Sequence, residues 1–263
     1  KGEIKGFKSG SHFEEFGRVI EAADGIVRIS GLTGALSQEI LTIETEKGDV
    51  PALAFNLEET VIGGVILDYA EGVKVGDTVK KTGRVLSVKV GEEIIGRVVD
   101  SLGNPVDGKG VIFSGKKEVK ENPLENNAPS VLSRSSVNTP LHTGIKAIDS
   151  MIPVGRGQRE LIIGDRQTGK TSIALDVILN QGQDKKNGQV ICIYVAIGQK
   201  TSKIARIVRS LEETRAIDYT IVVSAPASAP AAMQYIAPLT GAAIGEYCRD
   251  RGQDALVIYD DLS

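Results

Sequence analysis

From Gly17 onward, apolar residues recur at every second position. Arg18-Val19-Ile20-Glu21 and Gly25-Ile26-Val27-Arg28-Ile29 read as short strands joined by a turn at Asp24-Gly25. The runs Glu39–Glu44, Val50–Phe55, Thr60–Leu67, Thr78–Lys81 and Gly83–Val90 continue the pattern. Turn signals separate them at Gly31, Gly34, Lys47-Gly48-Asp49, Gly72 and Gly76-Asp77. Many short strands at this spacing predict a small closed β-barrel over residues 13–85. The Lys/Gly/Ser-rich residues 1–12 before it read as a loose tail.

Residues 86–263 follow another rhythm. Ile94–Asp100 and Val111–Phe113 flank a turn at Leu102-Gly103-Asn104-Pro105 and read as a hairpin. Lys116–Asn138 is polar and aperiodic, an extended linker. A short helix, Gly144–Met151, ends before Pro153, and the apolar run Glu160-Leu161-Ile162-Ile163 reads as a strand. A helical pattern runs over Ser172–Leu179, then a polar loop over Gln181–Gln189. Val190–Ile197 is apolar enough for a fully buried strand. An amphipathic helix at Ser202–Glu213 and a strand at Tyr219–Val223 follow. A helix over Pro230–Arg251, interrupted near Pro238, leads to a last strand at Ala255–Tyr259. Strands alternating with helices predict a mostly parallel sheet, with ligand at the strands' C-terminal ends.

Composition narrows the function classes. The 263 residues leave room for two domains, and 25% charged with 41% hydrophobic residues suits a soluble globular chain. A net charge of -3 gives no electrostatic case for a nucleic-acid partner. With no Trp and 4% aromatics, base-stacking platforms are scarce. Cys192 and Cys248 stand alone in apolar surroundings, without a C-x-x-C pair, so they read as buried structural thiols in a reducing compartment. His142 lacks a partner at metal-ligand spacing, which favours a hydrogen-bonded surface role. No signal peptide stands out, and the longest uncharged stretch, Ser224–Gly245, contains three prolines and is no membrane span. Work at a membrane would come through partners. A start at Lys1 and a stop after Ser263 read as cut ends.

The chemistry concentrates at Gly164-Asp165-Arg166-Gln167-Thr168-Gly169-Lys170-Thr171, which fits the spacing G-x-x-x-x-G-K-[ST]. Between a strand and a helix, such a loop turns its backbone N–H groups and the helix N-terminus toward polyphosphate. Lys170 adds a full charge, and the Thr171 hydroxyl is a magnesium ligand. Arg166 and Gln167 lie inside the loop, so ligand contact is expected of them before Lys200. Asp260 ends an apolar strand and suits a magnesium-bound water, with Asp261 as runner-up. Gln199 follows the buried strand. An amide orients a water but accepts no proton from it, which weakens the case for hydrolysis without excluding it.

Together these stretches resemble a known family. Pro153 to Thr171, Tyr194-Val195-Ala196-Ile197-Gly198-Gln199-Lys200 and Ile258-Tyr259-Asp260-Asp261-Leu262-Ser263 look like alpha subunits of F-type ATP synthases. Gly96–Asp100 and Gly144–Ser150 are similar as well, and the likeness runs from about Gly17 to Ser263. The catalytic beta subunits of that family carry a glycine-richer loop and a Glu at the position of Gln199. The resemblance implies a β-barrel followed by a RecA-like P-loop domain. It implies Mg2+ with ATP or ADP held rather than turned over by Gly164, Asp165, Arg166, Gln167, Thr168, Gly169, Lys170, Thr171 and Gln199, with Thr171 and Asp260 at the metal. It implies an alternating ring with beta subunits, around gamma and beside delta-type stalk subunits. It also implies a peripheral place on the cytoplasmic face of a bacterial inner membrane, or on an organelle inner membrane, reached only through the complex. Ala227-Ser228-Ala229-Pro230 departs from the family by an Ala where an Asp is usual, which removes a helix cap worth about 0.5–2 kcal/mol unless Ser228 substitutes.

Two other readings of the same motifs are a self-sufficient RecA-like motor ATPase of a secretion system and a termination-factor-like RNA helicase fragment. The first requires strong turnover by the chain alone, and the second RNA-stimulated hydrolysis. Gln199 argues against the one and the acidic charge balance against the other.

Overall fold

A computed structural model describes residues 15–68, 72–115, 117–165, 167–182 and 188–262. The expected tail at residues 1–12, Arg166 and most of the Gln181–Gln189 loop lie outside them. The described residues fall into two compact units that meet in sequence at Leu86 and Ser87.

The first unit is the expected closed barrel. Strands β1 (Phe16–Ala23), β2 (Ile26–Ser30), β3 (Glu39–Thr45), β4 (Gly48–Leu57), β5 (Val61–Ile66) and β6 (Thr78–Val85) close in the order β1-β2-β5-β4-β3-β6. Every pairing is antiparallel, and Phe16 opposite Lys80 seals β1 to β6. The period of two sends Val19, Val27, Ile29, Leu41, Ile43, Ala52, Ile62 and Val79 inward, where they form one cluster. Closure removes exposed sheet edges. The turn at Asp24-Gly25 has φ of 50° and 80°, the paired positive values of a type I′ hairpin, whose twist matches its strands. Glu39 is buried, and its carboxylate accepts the backbone N–H groups of Leu36 and Gly83, fixing both bends beside β3.

The second unit begins with β7 (Ser87–Val90), so the expected run Gly83–Val90 is two strands broken at Leu86. A single period of two cannot reveal a change of partner: β6 belongs to the barrel, whereas β7 pairs with β9 (Lys120–Pro123), inside the stretch expected to be a linker. The expected hairpin is shortened to its turn. Asp100 N–H bonds the Asn104 carbonyl, Val106 N–H bonds the Val98 carbonyl, and Val99 bridges Pro105 antiparallel, whereas Val111–Phe113 forms no strand. Val98–Val99 (β8) also lies parallel to a distant strand. Arg97 ties this turn to the sheet. Its guanidinium makes paired bonds of 2.7 and 2.9 Å to Asp107 and one to the Gly110 carbonyl, while its own carbonyl accepts Val222 N–H.

Next come β10 (Pro140–Leu141), α1 (Lys146–Met151) and β11 (Val154–Gly155), where β10 and β11 pair, then α2 (Lys170–Gln181). The remaining elements are β12 (Ile191–Gln199), α3 (Thr201–Glu213), β13 (Thr220–Pro226), α4 (Ala231–Asp250) and β14 (Ala255–Asp260). The sheet order is β14-β12-β13-β8, all parallel. Cys192, Tyr194 and Ala196 face Ile178 of α2 and Ile204, Ile207 and Leu211 of α3. On the other face α4 packs so closely that a Cβ at Gly241 would run into Val195. Pro238 does not interrupt α4, which is continuous and buries Ile236, Ala237, Thr240, Gly241 and Ile244. The burial of that face outweighs the hydrogen bond a proline removes. The helix starts after Pro230 without a side-chain cap. Burial pushes the Cys192 thiol up to about 12 and Cys248 up to about 11, as inert structural thiols require.

One expectation fails where it matters most. Residues 160–163 form no strand, and Leu161 and Ile163 are 78% and 86% exposed. Apolar content signals burial, but a strand exists only where another edge takes its N–H and C=O groups. Among the described residues no edge does so.

The Arg97–Asp107 pair is largely shielded, with side chains 13% and 5% exposed. The hydrogen bond from Arg97 is the main cause that holds the Asp107 carboxyl far below its usual range, against the opposing effect of burial. A depressed carboxylate stabilises the fold fully above its ordinary range, and that contribution is lost as pH falls from there through the depressed value. Asp107→Asn is therefore expected to cost about 3 kcal/mol at neutral pH, because it leaves a buried guanidinium unpaired. Urea denaturation of the full-length chain at pH 7 and near pH 3 checks this: the deficit shrinks at the lower pH. An equal deficit at both values would contradict it.

Candidate functional site

The site is built at the sheet's C-terminal edge by four elements. Register places Ala196 of β12 beside Asp260 of β14, on the sheet face that carries α2 and α3. Asp260 is the last residue of its strand and is 7% exposed. Its Oδ2 accepts the Thr171 hydroxyl at 2.8 Å and the Tyr194 hydroxyl at 2.5 Å. The Lys203 ammonium lies 3.5 Å from the same oxygen and donates to Thr171 Oγ1 at 3.1 Å. Burying a carboxylate without such partners would be costly.

The glycine-rich loop stands between the 160–163 run and α2. Gln167 and Gly169 have φ of 64° and 94°, two left-handed positions that wind the chain back on itself. The Thr168 hydroxyl donates to the Asp165 carbonyl at 2.8 Å. The Lys170 ammonium donates to the Gly164 and Asp165 carbonyls at 2.5 and 2.6 Å. A Cβ on Gly164 would come within 2.8 Å of Thr168 Oγ1, so the loop closes only around a glycine there. Gly169 caps α2, and its carbonyl accepts Ile173 N–H. The first N–H groups of α2 have no partner within the helix. Arg166 is outside the described residues.

Gln199 donates its side-chain amide to the backbone carbonyl of Asp260 at 3.3 Å. Thr171, Gln199 and Asp260, far apart in sequence, therefore meet at one sheet edge. Gly164, Asp165, Thr168 and Lys170 bond among themselves within the loop, and Gln167 and Gly169 supply its two left-handed positions. His142 contributes its carbonyl to Asn180 and Gln181 of α2.

Thr171 Oγ1 and Asp260 Oδ2 are hard oxygen donors on facing elements, a set that suits magnesium, which takes few protein ligands and completes its shell with phosphate and water. Among the described residues no group of three or more His, Cys, Asp or Glu could hold a metal by itself.

The two units correspond to two family models. Residues 13–83 match the ATP synthase alpha/beta family, beta-barrel domain, and residues 144–263 match the nucleotide-binding domain of the same family. The chain belongs to the ATP synthase alpha/beta family. Among the family's curated members, ATP synthase subunit alpha of Parabacteroides distasonis is 56% identical over 262 residues, which are 99% of this chain and 49% of the relative. The subunits alpha of Neisseria gonorrhoeae and Leptothrix cholodnii are 55% and 53% identical over 263 residues, again across 49% of each relative. The chain thus spans about half the length of the curated relatives it matches. No helix among the described residues is long and apolar enough to cross a membrane.

Two residues at this family member's site escaped the sequence reading. Tyr194 lies inside an otherwise aliphatic strand, and a hydroxyl in such a run is the signal for a buried partner. Burial first, and then the bond to Asp260, push its phenol far up, so it is a neutral donor. Lys203 stands in the first turn of α3, where a cation opposes the helix dipole. Tyr194→Phe is expected to lower the unfolding free energy by about 2 kcal/mol in urea titrations, as loss of a hydrogen bond to a charged group does. A loss under about 0.5 kcal/mol would show that the carboxylate gains nothing from the phenol.

Proposed function

We propose that this chain is the barrel and nucleotide-binding portion of an F-type ATP synthase alpha subunit, and that its site holds Mg-ATP or ADP without splitting it. The barrel is residues 13–85 and the nucleotide-binding part is residues 86–263. Gly164 to Thr171, Arg166 included, cradle the phosphates. Lys170 exchanges its loop carbonyls for phosphate oxygens, and Thr171 and Asp260 hold the metal. Magnesium, when bound, neutralises phosphate charge. Catalysis falls to neighbouring beta subunits in a ring around gamma, with delta-type stalk subunits, and the membrane is reached only through that assembly, on the cytoplasmic face in a bacterium.

The observation that carries this reading is Gln199. It takes the place beside the phosphate loop where hydrolysis needs a proton acceptor. Its amide has no basic lone pair to offer and is committed to the Asp260 carbonyl. Asp260 is engaged by two hydroxyls and an ammonium.

The test is equilibrium binding and turnover of the full-length chain, purified without partners. Lys170→Ala is expected to weaken ATP binding at least roughly tenfold, as loss of a charge-assisted phosphate contact does. Gln199→Glu is expected to keep binding and to raise hydrolysis at least about tenfold, since a positioned base contributes that much or more. Fast hydrolysis by the unmodified chain alone would refute the proposal.

A further inference from the structure

Lys203 is no part of the phosphate loop, yet it reaches the site from another element. Its ammonium is 3.1 Å from Thr171 Oγ1 and 3.5 Å from Asp260 Oδ2. The helix does not put it there. Lys203 stands in the first turn of α3, which carries no acidic residue, and a cation at a helix N-terminus is repelled by the macrodipole. The attraction comes from the buried carboxylate of Asp260. The Lys203 side chain is 39% exposed, so its flexible stem is free to turn to another anion.

We propose that Lys203 makes this site prefer a triphosphate to a diphosphate, by pairing with the terminal phosphate of the magnesium-bound nucleotide. The inference rests on the proposed reading of the site as one for magnesium and nucleotide. Lys203 shares Thr171 and Asp260 with the position proposed for the metal. An ammonium and a divalent cation a few ångströms apart repel strongly in a partly buried place. Lys203 therefore gives up Asp260 when the site is loaded, and its next partner depends on the ligand. Thr171 follows Lys170, whose charge is expected on the outer phosphates, so the anion nearest a turned Lys203 is the terminal phosphate. With a triphosphate, the ammonium exchanges one anionic partner for another. With a diphosphate, it loses Asp260 and gains only water. Magnesium is required for both ligands alike, and the difference between them falls on Lys203.

The experiment is calorimetric titration of the full-length chain, purified without partners, with ATP and with ADP at the same saturating magnesium. The readout is the ratio of the two dissociation constants. The unmodified chain is expected to bind ATP more tightly than ADP. Lys203→Gln is expected to narrow that ratio about fivefold, chiefly through weaker ATP binding, as loss of one charge-assisted contact does. Lys203→Arg, which keeps the charge, is expected to stay near the unmodified ratio. ADP with beryllium fluoride supplies a mimic of the terminal phosphate: it is expected to tighten ADP binding in the unmodified chain and to do so less in Lys203→Gln. An unmodified chain that binds ADP as tightly as ATP, or a ratio unchanged by Lys203→Gln, overturns the inference while leaving the nucleotide site standing. So does a Lys203→Arg chain whose ratio falls as far as that of Lys203→Gln. Absence of binding of either nucleotide to the unmodified chain overturns the nucleotide reading and this inference with it.

Discussion

The second unit turns on one buried carboxylate. Asp260 lies at the end of β14, and its Oδ2 gathers the hydroxyl of Thr171 from α2, the hydroxyl of Tyr194 from β12 and the ammonium of Lys203 from α3. Those bonds tie two helices and two strands to a single atom. The parallel register of β12 and β14 makes this possible, because it brings Ala196 level with Asp260 and leaves Tyr194 two residues back on the same face. An anion buried here with fewer partners would be costly, so the polar groups that satisfy it also fix where the phosphate loop begins its helix.

On the proposed reading the same region separates gripping from splitting. Holding a polyphosphate takes backbone N–H groups, a lysine and a metal ligand, the parts proposed for Gly164 to Thr171 and Asp260. Splitting it also takes a group that accepts a proton from water near the terminal phosphate. The residue beside the loop is an amide bonded to a backbone carbonyl, and the nearby carboxylate is spent on its own partners. On the proposed reading the molecule is organised to retain its ligand.

Much of this was legible in the residue order. The barrel follows from a period of two with turn signals, because that pattern dictates both the buried face and the short connections. The loop spacing and the Asp at a strand's end pointed to Thr171 and Asp260, which bond to each other, and Gln199 bonds to the Asp260 carbonyl. The misses share a cause: each depends on a partner distant in sequence. Residues 160–163 have the composition of a strand, yet no edge among the described residues receives them. Pro238 carries a local penalty that α4 offsets by packing on the sheet. Val98–Val99 pairs with β13 as well as with its own short turn, and its second partner is more than 100 residues away. Tyr194 and Lys203 read locally as a strand residue and a surface charge, and only the fold brings them to Asp260.

The central claim is that this site keeps its nucleotide whole. The most direct measurement loads the full-length chain, free of partners, with Mg-ATP labelled in the terminal phosphate. Unbound ligand is removed, and the bound nucleotide is released by acid after increasing intervals. The account predicts that the label is recovered as intact triphosphate throughout. Steady conversion to diphosphate and free phosphate on the chain itself would contradict it.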